Sequence, residues 1–250
     1  MPPICLHLGI AREALSGLRH PVVEGNLGSY YLGSTAPDIR FFISAGREET
    51  HFLSLNCEDG ASGVKFMFEA YPELIDDASL SSATKAFIAG YLSHLVTDEV
   101  WLYRIYRPFF GKSSALGGDA MANLLDRLLQ FELDRRERLN SKSILAARSE
   151  IGSSDSEVSV GFIDAITLNR WREFVYIATS GELSWDDFST FAQKYLIWMR
   201  YLPAERIESF FESFDDRLKQ VLELVPEERL REFREQSVAD SARVAGEYLG

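Results

Sequence analysis

The chain has 250 residues, 46% hydrophobic and 12% aromatic, enough apolar material for one large core or two small ones, which excludes a disordered or fibrous chain. With 26 basic and 38 acidic side chains the formal net charge is −12, which argues against a surface built to track a polyphosphate backbone, since that needs a net basic field. No window approaches the apolar length of a transmembrane segment, the first residues lack the features of a secretory signal, and Cys5 and Cys57 lie outside any CxxC, so a cytoplasmic protein with two free thiols is expected.

Apolar residues recur at steps of three and four almost throughout, while alternating runs bounded by turn signals are rare, which predicts an all-α protein. In chain order the spacing predicts helices over 4–19, 26–32, 48–58, 62–72, 81–108, 119–143, 161–180, 185–200, 203–224 and 226–248. Residues 33–47 carry Gly33, Pro37 and Gly46 and read as a loop, as do 111–118 and the small, polar stretch 151–160. The amphipathic helices beyond that stretch are expected to pack onto the first half. The expectation is a single helical domain over 1–250, with 1–143 as metal-binding core helices and 161–250 as additional packing helices. The mixed charges of 227–235 read as the solvated face of a helix that turns Leu230 and Phe233 inward.

The chemistry concentrates in Phe87 to Trp101. On a helix, Phe87, Tyr91, His94, Asp98, Trp101 and Ile105 share one stripe, and four of those six are large and apolar or aromatic, so His94 and Asp98 point inward. An ionised Asp facing a core is costly unless something positive meets it. A His one turn away is placed to share a cation with it; the alternative is a buried Asp–His hydrogen bond without metal. Upstream, Pro37 pre-sets the backbone so that Asp38 is held at the start of a turn, and Thr50-His51 follows. Alone, these two read as a helix cap and a surface histidine. His7 is flanked by apolar residues near a helix start, which alone reads as a hydrogen-bonded core residue. His20 precedes Pro21 without a ligand neighbour and reads as a surface residue.

Taken in order, His7, the run Leu32-Gly33 to Ala36-Pro37-Asp38, Thr50-His51 and the run Gly90 to Asp98 resemble the zinc-dependent phospholipase C family, an all-helical superfamily that also holds single-strand-specific nucleases. The resemblance is most specific over 28–52 and 86–101. It implies a multi-helix bundle of the phospholipase C/nuclease type in which Asp38, His51, His94 and Asp98 hold one zinc. Asp98 would bridge toward a second ion that His7 also holds, and iron or manganese suits a closely similar ligand set. Members with three zincs draw further ligands from later histidines and a glutamate spaced HxxxE, whereas this chain has no histidine after His94. Here Leu128 stands in the histidine slot. Glu132 shares a stripe with Met121, Leu125 and Leu128, so it is expected to face inward, either as an extra metal ligand or in a buried salt bridge with an arginine. Asp126 and Asp134 are expected on the polar side.

The function implied is a metal-dependent hydrolase of a phosphodiester or phosphomonoester, acting on a small molecule or a lipid headgroup rather than a long nucleic acid. Asp38 would orient or deprotonate the attacking water, and Arg40, Arg47, Arg104 or Arg107 would meet phosphate oxygens. Two alternatives come from other classes: a helical interaction protein whose metal only holds helices together, and an iron-dependent oxidase or oxygenase on the same ligands.

Overall fold

In the computed structural model, which describes residues 3–43, 45–75, 79–154, 157–181, 184–191 and 203–250, the chain is all-α. The first half contains α1 (Ile4–Leu18), α2 (Pro21–Glu24), α3 (Leu27–Gly33), a 3-10 turn at Ala36–Ile39, α4 (Arg40–Ile43), α5 (Arg47–His51), α6 (Gly63–Ala70), a 3-10 turn at Pro72–Leu74 and α7 (Ser82–Trp101). A π-helical stretch, Leu102–Phe110, continues α7, and α8 (Ala120–Leu139) and α9 (Ser141–Ser153) follow. The remainder is α10 (Ala165–Ala178), α11 (Trp185–Phe191), α12 (Ala204–Glu212), α13 (Phe214–Leu224) and α14 (Glu227–Leu249). Among the described residues the strand-like pairing is an isolated bridge between Val160 and Ile163. No helix there is long and apolar enough to cross a membrane.

The frame that positions the site is α7. Ser81 caps it by accepting a hydrogen bond from the Thr84 amide at 3.1 Å. Nearly all of its residues are buried, as expected of a helix surrounded by others, and α1, α3, α6 and α14 pack on it. The α3–α7 crossing is unusually close. A Cβ added to Gly33 would lie 2.0 Å from the Phe87 carbonyl oxygen, and one added to Gly90 would lie 1.9 Å from that of Tyr30, so only glycine admits this approach. Two apolar clusters share α1 and α7. One gathers Tyr30, Phe87, Tyr91 and Trp171, and the other Trp101, Leu128, Phe210 and Phe233.

Helix α1 begins without a cap of its own, and Asp134 of α8 supplies one. Its Oδ1 accepts from the amides of Cys5 and Leu6 at 2.8 and 3.2 Å, and its Oδ2 accepts from Arg138 at 2.8 Å. This corrects the expectation that Asp134 lies on the polar side. The same correction holds for Asp126, which is buried and accepts from Trp101 Nε1 at 3.0 Å and from Gln130 at 2.7 Å. Besides a donor on α8 itself, each carboxylate finds donors on another helix, which the face of its own helix does not reveal.

Several boundaries also differ from the sequence expectation. The 33–47 segment holds the 3-10 turn, α4 and the start of α5 instead of a loop. The helix expected over 48–58 stops at His51, where Phe52 takes a left-handed conformation, φ 55°. A break at Asn140 separates α8 from α9, so helix runs into the expected 151–160 loop, and another at Ser213 divides the helix expected over 203–224. Helix α2 was not expected. Of the helix expected over 185–200, the part beyond Phe191 lies outside the described residues.

Candidate metal centre

Helix α7 presents His94 and Asp98 one turn apart, both almost fully buried. His94 Nδ1 donates to the Ser34 carbonyl, just after α3, at 2.9 Å, which leaves Nε2 of the neutral ring as a bare acceptor. Beyond Ser34, Thr35 is pinned by a hydrogen bond from Trp171 Nε1 at 3.1 Å, and the 3-10 turn that follows carries Asp38 inward behind Pro37. His51 closes α5. Its Nδ1 hydrogen-bonds the Thr50 hydroxyl at 3.0 Å, and the Tyr91 hydroxyl donates to the Thr50 carbonyl, tying α5 to α7. His7 arrives from the first turn of α1 with its ring stacked on His94, centroids 3.7 Å apart.

Five side chains from four segments thus converge. His51 Nε2 lies 3.3 Å from His94 Nε2, 3.4 Å from Asp98 Oδ2 and 3.5 Å from Asp38 Oδ1. His7 Nε2 lies 3.5 Å from Asp98 Oδ1, and His94 Nε2 lies 3.8 Å from Asp98 Oδ2. Among the described residues, two sets of three have ligating atoms all within 4.8 Å of one another: His7, His94 and Asp98, and Asp38, His51 and His94.

The donor set fits a divalent metal. Ligands at about 2.0–2.2 Å around a tetrahedral zinc stand about 3.3–3.6 Å apart, close to the separations found here. One proton on His51 Nε2 cannot satisfy both the His94 nitrogen and the Asp38 oxygen that face it, whereas a dication can; Asp98 Oδ2 beside them is met by Arg47. Both ring nitrogens of His7 and Oδ1 of Asp98 are also buried without a hydrogen-bond partner, a cost that positive charge in the pocket offsets.

Protonation points the same way. Burial, assisted by the nearby Arg47, pushes the His51 pKa down to about 4, and burial with the neighbouring His7 pushes His94 well below its usual value, so both are neutral ligands at pH 7. Burial works against ionisation of Asp98, yet the Arg47 guanidinium, with Nη2 at 2.6 Å from Oδ2, and the neighbouring imidazoles together outweigh it and hold the carboxyl well below the usual range. For Asp38 burial again opposes ionisation, and the His51 contact and neighbouring imidazoles outweigh it.

The other sequence-selected residues lie elsewhere or play other parts. Glu132 stands outside both sets, each oxygen paired at 2.8 Å with an arginine, Oε2 with Arg135 and Oε1 with Arg136. Leu128 is buried in the apolar cluster beside Phe233. Of the four arginines considered, Arg47 reaches the cluster. Arg104 donates to Gln236 at 3.0 Å, Arg107 is bound to Asp59 and the Cys57 carbonyl, and Arg40 sits half-buried at the start of α4. His20 caps α2 and is partly exposed. Sequence reasoning missed Ser34, Thr50 and Tyr91, whose outer contacts orient the imidazoles. The adjacency of Thr50 to His51 and the place of Tyr91 on the stripe of His94 were the hints in the sequence.

Comparison with known proteins bears on the same residues. No curated protein and no solved structure matches the chain. A family model described as zinc dependent phospholipase C matches residues 6–101, the stretch that holds His7, Asp38, His51, His94 and Asp98, and that family implies a hydrolase. Over that stretch, which carries the residues that assemble this centre, the chain is similar to the zinc-dependent phospholipase C family, and the match supports membership of it.

Proposed function

We propose that the protein is a metal-dependent phosphoesterase that hydrolyses a phosphodiester or phosphomonoester of a small molecule or lipid headgroup. The observation that carries this reading is the convergence of Asp38, His51 and His94, ligating atoms within 4.8 Å of one another, on nitrogens held neutral by burial. These three side chains hold the ion, with Asp98 and His7 completing the pocket; zinc suits the ligands best, and iron or manganese fits the same donors. Bound there, the metal supplies Lewis acidity, bringing the pKa of water toward neutrality and offsetting charge on a phosphate ester.

The chain's own residues do the rest. Asp38 is 17% exposed while the other four are 3% or less, so it touches both the ligand cluster and solvent and is placed to take a proton from the attacking water. Arg47, 14% exposed and bonded to Asp98, adds fixed positive charge beside the cluster and draws an anionic ester toward it. Hydrogen bonds from Trp171 to Thr35 and from His94 to Ser34 keep the Asp38 turn in place. The net charge of −12 works against long nucleic acids as substrates.

A panel of chromogenic phosphate mono- and diesters, assayed with Zn²⁺, Mn²⁺ or Fe²⁺, tests the reading. Turnover by the wild type, lowered about 100-fold or more in Asp38→Asn, is the expected result. Metal analysis of His94→Ala and Asp98→Ala accompanies it, and full occupancy in both variants would refute the site. A second reading, a metal-stabilised helical protein without catalysis, draws support from the lack of any histidine after His94 and from the pairing of Glu132 with two arginines. It predicts no turnover of any ester, together with a lower melting temperature on chelation.

A further inference from the structure

The two oxygens of Asp98 have different surroundings. Oδ1 faces His7 Nε2 at 3.5 Å and has no hydrogen-bond partner, whereas Oδ2 accepts from Arg47 Nη2 at 2.6 Å. A guanidinium bonds a carboxylate strongly, so Oδ2 already has a cationic partner that offsets its charge. The two sets of three ligands, moreover, share His94. With Nδ1 of that ring donating to the Ser34 carbonyl, one nitrogen lone pair remains, and one lone pair serves one ion.

An ion held by Asp38, His51 and His94 therefore leaves His7 and Asp98 Oδ1 as the donors for another. Two donors fall short of the three that zinc sites ordinarily take from protein. Charge leads to the same count. Two carboxylates, one guanidinium and one dication leave the pocket with a single net positive charge, suited to an anionic ester. A second dication would put a much larger uncompensated charge into a buried place.

We propose that Arg47 is the built-in second cation of this centre. It keeps Asp98 as its own charge partner, limits the site to one metal ion, and leaves that ion three protein ligands, Asp38, His51 and His94, with a place open for substrate. The family resemblance would instead make Asp98 a fourth ligand and a bridge to a second ion, and the Arg47 contact is what departs from that expectation here. Arg47 is thus a positioning residue acting through Asp98, and the proposal rests on the metal-site reading given above.

Titration of the metal-free protein with Co²⁺, followed by visible absorption, and metal analysis of the zinc-loaded protein test it together. The wild type is expected to saturate at one ion per chain. Arg47→Met is expected to bind that ion about tenfold more tightly or better, with a changed Co²⁺ spectrum, because the freed Asp98 Oδ2 joins the coordination. A merely structural arginine gives the opposite sign, since its loss loosens the pocket and weakens binding. Two or more ions in the wild type overturn the proposal, as does an Arg47→Met variant with unchanged or weaker affinity and an unchanged spectrum. Should that variant not fold, the wild-type stoichiometry still decides. A wild type that binds no ion at all removes the metal centre itself, an outcome distinct from the binding of two.

Discussion

Imidazoles kept neutral inside a protein make its stability depend on acid, and His51 shows how. Its pKa in the folded chain is about 4, below the ordinary value of about 6.5 for an exposed imidazole. A group depressed on folding contributes its full stability above the unfolded value and loses it as pH falls toward the folded one. The window for His51 therefore runs from about 6.5 down to about 4. His94 is shifted in the same direction, and the lowered carboxyls of Asp38 and Asp98 extend the loss to lower pH. The chelated protein is expected to melt at progressively lower temperature between pH 7 and pH 4, as read by thermal denaturation in a series of buffers. Metal affinity should fall over the same range, since protons compete for the same nitrogens. A melting temperature that holds steady or rises as the pH drops would contradict the assignment of neutral, buried imidazoles. At this scale the helical stripe on α7 made the inward turn of His94 and Asp98 legible from sequence. It could not show that Asp126 and Asp134 are buried too, because their donors, Trp101 Nε1 and the amides of Cys5 and Leu6, come from other helices.

Among the elements, the α3–α7 contact matters most to the site, because the Ser34 carbonyl that orients His94 follows α3 directly. Gly90→Ala would place its Cβ against the backbone of Tyr30, which cannot rotate away as a side chain can. The two helices would have to separate. A loss of about 3 kcal/mol is expected, measured by denaturant unfolding, together with weaker metal binding as Ser34 withdraws from His94. Unchanged stability in that variant would mean that the helices do not meet as closely as described. Long helices were legible because their periodicity persists over several turns. The short ones, α2, α4 and the 3-10 turn with Asp38, span too few residues for any period to register. The break at Ser213 escaped notice because an apolar stripe, Phe210, Phe211, Phe214 and Leu218, continues across it, and the one at Asn140 because no Gly or Pro marks it. The end of α5 at His51 depends on the left-handed Phe52, and aromatic residues carry no signal for that conformation.

For the molecule as a whole, the last helix closes the frame around the centre. Helix α14 packs on α7 and α1 through Leu230, Phe233, Ser237, Ser241 and Ala245, with the Phe233 ring against Trp101 at 5.1 Å between centroids. Arg234 adds ion pairs to Glu13 of α1 at 2.8 Å and to Glu137 of α8 at 2.9 Å. We propose on these contacts that the chain is one domain. Removal of 227–250 is then expected to abolish the cooperative unfolding transition of the full chain, as followed by calorimetry, and to expose apolar surface to a hydrophobic dye. A truncated chain that retained the transition would show that the N-terminal half stands alone. What the sequence determined by itself was the all-α class and the inward face of α7, because periodicity and spacing report which residues share one face of one helix; the five candidate ligands were gathered by their resemblance, in order, to a known family. Only the tertiary structure decided that His7, Asp38 and His51 reach that face, that Arg47 binds there, and that Glu132 turns to Arg135 and Arg136. Those outcomes depend on how closely helices cross and on hydrogen bonds between residues far apart in the chain, and neither quantity is carried by the local pattern of residues.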